Sequence, residues 1–160
     1  MIVYRIFLWV HVISAACWIL AFLTSLFYAF KVSGAAKTGE EKKFMQSERK
    51  ATSIGAHVGS VGILISGPIL SSISGGPQWG WFPFHQFTWL AIKQIVFIVI
   101  LFLVAFSVKK SLSFKKQIRG EGSDMVSKQA RKKWKSAYLI SLAVYILVVF
   151  NAYLGSAKPF

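Results

Sequence analysis

Residues 2–30, IVYRIFLWVHVISAACWILAFLTSLFYAF, carry a single charge, at Arg5. Crossing hydrocarbon takes about 20 mostly apolar residues at about 1.5 Å of rise each. This run is longer than that, with residues to spare for tilt or for reaching into the headgroups, and it predicts a transmembrane helix. Ser14-Ala15-Ala16-Cys17 has a faint likeness to a lipoprotein cleavage box. Apolar residues nevertheless continue through Phe30 and position 14 is not leucine, so a span is expected rather than a cleaved leader. His11 is the informative residue, because a polar side chain in lipid must hydrogen-bond, titrate or bind something. At helical spacing His11, Ser14, Ala15, Trp18 and Ser25 share one face. The opposite face is Ile, Leu and Phe, so the small polar face is expected to point into protein.

The rest of the 160-residue chain fits that start. A hydrophobic fraction of 55% and a mean hydropathy of +0.56 are too high for an ordinary soluble domain of this size. The expected class is all-α integral membrane: one transmembrane domain over 1–160, an antiparallel four-helix transmembrane bundle with spans near 2–30, 51–73, 87–108 and 135–157. The second span is glycine-rich, with Gly55 and Gly59 in a GxxxG followed by Gly62 and Gly67. Small residues at that spacing let a neighbouring helix come close. Ser74–Gln86, SGGPQWGWFPFHQ, has no formal charge, and Trp79, Trp81 and Phe84 mark it as a connector lying at headgroup level.

A net charge of +14 would suggest nucleic acid in a soluble protein, but here the charges lie between the spans. Residues 31–50 carry six basic side chains against Glu40, Glu41 and Glu48 and are expected to form a loop that stays in water. Residues 109–135 carry ten against Glu121 and Asp124. The other side of the membrane holds only Arg5, Lys158 and the connector. The positive-inside rule makes the basic loops cytoplasmic and both termini periplasmic, in a bacterial inner membrane. Basic tracts beside spans set topology and attract anionic lipid, so the expected partner is the lipid bilayer and not nucleic acid.

Helices one and three enter from the same side, which puts His11 about 12 Å and Lys93 about 9 Å inside that edge. Asn151 falls at a similar height, and His85 sits just above. His57 is more than about 10 Å too deep to join His11 on one cofactor. No aspartate or glutamate lies in these spans, so Lys93 is left without a salt bridge. It can snorkel to the interface, stay neutral or coordinate a metal; His11 can be a hydrogen-bonded neutral imidazole or a ligand. Cys17, the only cysteine, rules out an internal disulfide and a thiolate zinc site. Met1, Met45 and Met125 lie outside the spans and make a poor copper set. Hydrolase and phosphate-loop motifs are absent.

His11 with Trp18, then Leu26-Phe27-Tyr28, resembles the first helix of the HemJ-type membrane proteins, four-helix protoporphyrinogen IX oxidases that bind haem b. Ser47-Glu48-Arg49-Lys50 with Gly67 is similar to that family's second block. Trp89-Leu90-Ala91-Ile92-Lys93 is similar to its W-L-x-x-K block, and Lys158-Pro159-Phe160 to its ending. The copper-resistance D-type proteins share a similar first helix. An arginine after the first-helix leucines, a histidine after helix three and an Asn-Glu-x-Pro block before helix four have no counterpart here.

The resemblance implies a haem b held by His11 and Lys93 and, with it, electron transfer or oxidation of a small lipophilic substrate such as a porphyrinogen. Trp18 and phenylalanines would wall the slot, and Arg5, Lys93 or His85 would meet propionates, with Asn151 at the same level. The competing expectation, from the glycine stripe of helix two, is a cofactor-free subunit packed on a larger membrane complex or on further copies of itself.

Overall fold

A computed structural model describes residues 2–73, 79–122 and 125–158. Ser74–Gln78 of the connector, Asp124, and the Pro159 and Phe160 of the C-terminal block lie outside the described residues. Four helices account for nearly all of the rest: α1 (Ile2–Gly34), α2 (Glu40–Ser72), α3 (Thr88–Gly120) and α4 (Lys128–Ala157). All four are long and apolar enough to cross a membrane. Packed as an antiparallel bundle, they make a multi-pass membrane protein.

Helices of 30 to 33 residues exceed the hydrocarbon thickness of about 30 Å by a few turns. The excess lies at the basic end. Residues 31–50, expected as an aqueous loop, reduce to a short turn between Gly34 and Glu40, because α2 starts eleven residues before the apolar run does. Lys, Arg, Glu and Gln are good helix formers, so a change from apolar to charged ends a span without ending a helix. Most of the basic residues therefore ride on helical extensions. The α3–α4 turn is tied by Glu121, whose carboxylate accepts from the Ser127 hydroxyl and from Gln117 Nε2 at 3.1 Å. These bonds, Ser127 first, hold the Glu121 carboxyl below its ordinary pKa. Ser127 in turn caps α4 by accepting from Ala130 N at 3.1 Å.

α1 and α2 pair through glycine. Gly55 faces Ala21, Gly59 lies against the Trp18 ring and Gly62 against Ser14. A Cβ on Gly59 would stand 2.8 Å from Trp18 Cγ and Cδ2, so only hydrogen fits. α3 and α4 pair through Ser107–Ser141 at 2.7 Å and Gln117–Lys133 at 2.9 Å. α1 also packs on α4, while the seam between α2 and α3 is looser and α1 and α3 lie diagonally opposed.

Two apolar clusters fill the bundle. Trp18, Ala21, Ile100, Val144, Tyr145 and Val148 form the middle; Val32, Met45, Phe114, Ile118, Ala130 and Trp134 form the basic end. The outward faces are apolar as well, with Ile6, Trp9, Leu20, Phe102 and Phe106 all exposed, as lipid requires and water does not permit. Hydroxyls inside the bundle bond back to their own helix: Ser14 to Val10 O at 2.7 Å, Ser71 to Gly67 O at 3.1 Å. At the other end Lys158 Nζ sits 5.5 Å over Trp79 and 5.7 Å over Trp89, and the Gln94 side chain accepts from Phe82 N at 2.6 Å.

Gly59→Leu should therefore lower the thermal unfolding midpoint in detergent, by overpacking of roughly 1–3 kcal/mol. Gly34→Leu, where an added Cβ meets nothing within 4 Å, should leave it within about 0.5 kcal/mol. Equal effects from the two would show that α1 and α2 do not meet at Trp18.

Candidate functional site

At the connector end, α1 turns His11 inward. Its Nδ1 lies 2.9 Å from Ser66 Oγ on α2. Ser66 has one proton to give, and it goes to the Gly62 carbonyl at 2.6 Å. Ser66 must then accept from the imidazole, so in neutral His11 the proton is on Nδ1 and Nε2 keeps its lone pair. This is the arrangement that orients a ligating histidine: one ring nitrogen anchored by a hydrogen bond, the other open for coordination.

Lys93, half-buried on α3, extends to Gly155 of α4, where an added Cβ would be 2.5 Å from Nζ. It is near enough to His11 for their charges to interact. Among the described residues no carboxylate pairs with it. Gly67 of α2 is the corresponding recess beside the imidazole, with 3.9 Å from an added Cβ to Cε1. Two diagonal helices thus supply side chains at this level, and the two between them supply glycines. Asn151, buried on α4 one turn before Gly155, has no hydrogen-bond partner for Oδ1.

The other sequence candidates are more scattered. Arg5 and His85 are exposed, as the rim of such a site would be. Trp18 is 1% exposed and lies about 10 Å farther along α1 than His11, over Gly59. Its indole Nε1 has no partner. His57 points away from the bundle and lies 2.6 Å from the Ser53 carbonyl of its own helix.

The basic end holds a centre that the sequence reading placed in a water-exposed loop. Glu48 and Arg49 are 0% and 1% exposed. Arg49 Nε and Nη2 grip the two carboxylate oxygens at 2.5 Å each. Glu48 Oε1 also accepts from Ser25 Oγ at 2.6 Å and Thr52 Oγ1 at 2.9 Å, and Oε2 from Trp134 Nε1 at 3.0 Å. Arg49 Nη1 donates to Ser111 at 3.3 Å and Ser141 at 3.2 Å. All four helices contribute, the pair is neutral as a unit, and each oxygen of the carboxylate is bonded. A signal was present in the sequence: Glu41, Met45, Glu48, Thr52, Gly55 and Gly59 continue one helical stripe across the expected loop boundary.

Compared with protein-family models, characterised proteins and solved structures, the chain matches none.

Removing one member of the basic-end pair leaves the other buried and uncompensated. Arg49→Ala should cost about 3–5 kcal/mol in unfolding free energy. The joint replacement Glu48→Gln with Arg49→Met should cost less than Arg49→Ala alone. A double-mutant cycle in micelles measures this, and simple additivity of the two changes would rule out a coupled unit.

Proposed function

We propose that this membrane protein binds haem b at its connector end, with His11 as the principal axial ligand, and uses it for electron transfer or for oxidation of a small lipophilic substrate of the porphyrinogen kind. The observation that carries the proposal is the His11–Ser66–Gly62 chain, which leaves Nε2 free on a ring fixed in the bundle interior. Among the described residues no three His, Cys, Asp or Glu side chains come together. A macrocycle that brings its own four equatorial donors asks less of the protein, namely one or two axial groups and an apolar slot.

The residues present fit that demand. Gly67 and Gly155 remove side chains at the level of His11 and Lys93, and the unpartnered Asn151 Oδ1 is an acceptor there. Lys93 serves as second ligand when neutral, or as cation to a propionate. Arg5 and His85 stand at the rim for the other propionate, and Trp18 closes the bundle beneath. The haem supplies the redox chemistry when bound; the helices exclude water and set its surroundings. The alternative of a cofactor-free subunit drew on the glycine stripe of helix two, but Gly55, Gly59 and Gly62 are consumed in packing on α1.

His11→Ala should abolish the reduced-minus-oxidised b-type spectrum of purified protein, since imidazole binds iron at neutral pH whereas lysine must first lose a proton. Ser66→Ala should weaken haem retention about 10–100-fold by freeing the ring. Lys93→Ala should weaken it or shift the spectrum, and Lys93→Met should retain haem with an altered one. A wild-type spectrum in both His11→Ala and Lys93→Ala, or colourless wild-type protein, ends the proposal.

We further infer that the basic end faces the cytoplasm of a bacterial inner membrane, because the short segments flanking the spans at that end carry nearly all of the excess Lys and Arg. Cysteines placed at Lys43 or Gly120 should resist an impermeant thiol reagent added outside intact cells, and labelling there would invert the orientation.

A further inference from the structure

At the basic end a half-open groove of about 390 Å³ runs between α3 and α4. Lys110 and Ser113 line it from α3, and Gln129, Lys132, Lys133 and Ser136 from α4. On each helix these positions share a face at three-, four- and seven-residue spacing. Deeper in the bundle Ser107 and Ser141 bond directly at 2.7 Å, but here Ser113 and Ser136 are too short to close the gap. Lys133 is steadied by Gln117, whose amide oxygen accepts from Nζ at 2.9 Å. Three cations thus line one groove, and among the described residues no carboxylate pairs with any of them. Glu41, Glu48 and Glu121 are engaged elsewhere, by Arg131, by Arg49 and by Ser127 with Gln117.

Lysines gathered without a counter-charge favour an anion, and the two hydroxyls and the Gln129 amide add the donors that phosphate oxygens accept. Depth decides what carries the phosphate. The apolar run of α3 ends at Val108 and that of α4 begins just after Ser136. The three lysines and two serines therefore lie within about 8 Å of the hydrocarbon edge, inside the headgroup layer. One turn farther in, on the same faces, Phe106 and Leu139 are 56% and 52% exposed. A cationic groove above an apolar surface matches an amphiphile, whereas a soluble phosphate would use only the first. We propose that the α3–α4 groove binds the headgroup of an anionic phospholipid with two phosphates, held by Lys110, Lys132 and Lys133, with its acyl chains on Phe106 and Leu139. A single phosphodiester carries one negative charge and would leave two of the three lysines uncompensated. The site is more than the general attraction of basic flanks for anionic lipid, because it has a place and selects by phosphate count. It is independent of haem.

The groove is tested in nonionic-detergent micelles by native mass spectrometry, which counts bound lipid, with diphosphatidylglycerol, phosphatidylglycerol and inorganic pyrophosphate as probes. Diphosphatidylglycerol should bind at least about fivefold more tightly than phosphatidylglycerol, the effect of one further charge beside surface lysines. Lys110→Gln combined with Lys132→Gln and Lys133→Gln should weaken it about 100-fold, a factor of roughly five per lysine. The charge-matched set Lys43→Gln, Lys50→Gln and Lys115→Gln, all exposed and outside the groove, should leave it within about threefold at physiological salt, where distant charges are screened. Ser113→Phe fills the groove without removing a charge and should also weaken binding, with the thermal midpoint of lipid-free protein unchanged. Equal losses from the two lysine sets would reduce the groove to diffuse charge, and undiminished binding in Ser113→Phe would move the lipid elsewhere; either result overturns the site. Displacement of the lipid by an equal concentration of pyrophosphate would overturn it too, by assigning the groove to a soluble phosphate.

Discussion

All four helices meet at the basic end in the hydrogen bonds of the Glu48–Arg49 pair. Successive helical residues point about 100° apart and do not ordinarily face each other. These two meet because both are turned into the bundle, where a low dielectric makes an unpaired charge untenable. The carboxylate takes bonds from α1, α2 and α4, and the guanidinium reaches α3 and α4. In lipid, apolar contact between helices is hardly better than contact with acyl chains. The glycine packing of α1 on α2 thus gives close approach but little preference for one register over the next. Sliding α1 by a turn would take Ser25 from Glu48, so the polar pair supplies the directional term that the glycines lack.

The two ends differ in how completely their polar groups are matched. At the basic end each oxygen of Glu48 is bonded and the ion pair cancels its own charge. At the connector end Lys93 has no carboxylate among the described residues, Asn151 Oδ1 has no donor, and the His11 ring is anchored on one side only. Fully satisfied buried networks hold a fold, whereas unsatisfied groups that persist at a cost point to a ligand or a reaction. That contrast supports a structural role for the Glu48–Arg49 centre and the chemistry proposed at the connector end; in the middle of the bundle Trp18 Nε1 and the Tyr145 hydroxyl are unpartnered as well.

Much of this was legible in the chain. Hydropathy gave the four spans, and the 3.6-residue period gave the inward face of α1, where Ser14, Trp18 and Ser25 are buried. Depth arithmetic brought His11 and Lys93 to one level. It failed where composition and periodicity disagreed. Residues 40–50 are charged enough to look like solvent-exposed loop, yet their stripe of Glu41, Met45 and Glu48 keeps the period of the span that follows. Charge density there argues for a loop and periodicity for a helix, and in a membrane protein periodicity decides, since a helix that outruns the bilayer keeps packing on its neighbours. Ser66 was invisible for another reason. Its role depends on which α2 residue faces His11, a matter of register between helices that a single sequence does not contain.

The diagonal placement of α1 and α3 constrains what the connector end can do. These two helices do not approach each other, so His11 and Lys93 reach toward one another across the bundle interior and not along a shared interface. The helices that separate them, α2 and α4, carry glycine where they pass, at Gly67 and Gly155. A side chain at either glycine would fill the space between the two cationic-capable groups. An added Cβ at Gly155 would strike Lys93 Nζ at 2.5 Å, so glycine there lets the lysine lie against α4, whereas at Gly67 it would meet His11 Cε1 at 3.9 Å, an ordinary contact. Gly155 is therefore accounted for by Lys93 itself, while Gly55, Gly59 and Gly62 already bring α1 and α2 together and Gly67 leaves a gap beside the imidazole. The flat ligand proposed above would use that gap, with His11 and Lys93 approaching it from opposite sides of the bundle.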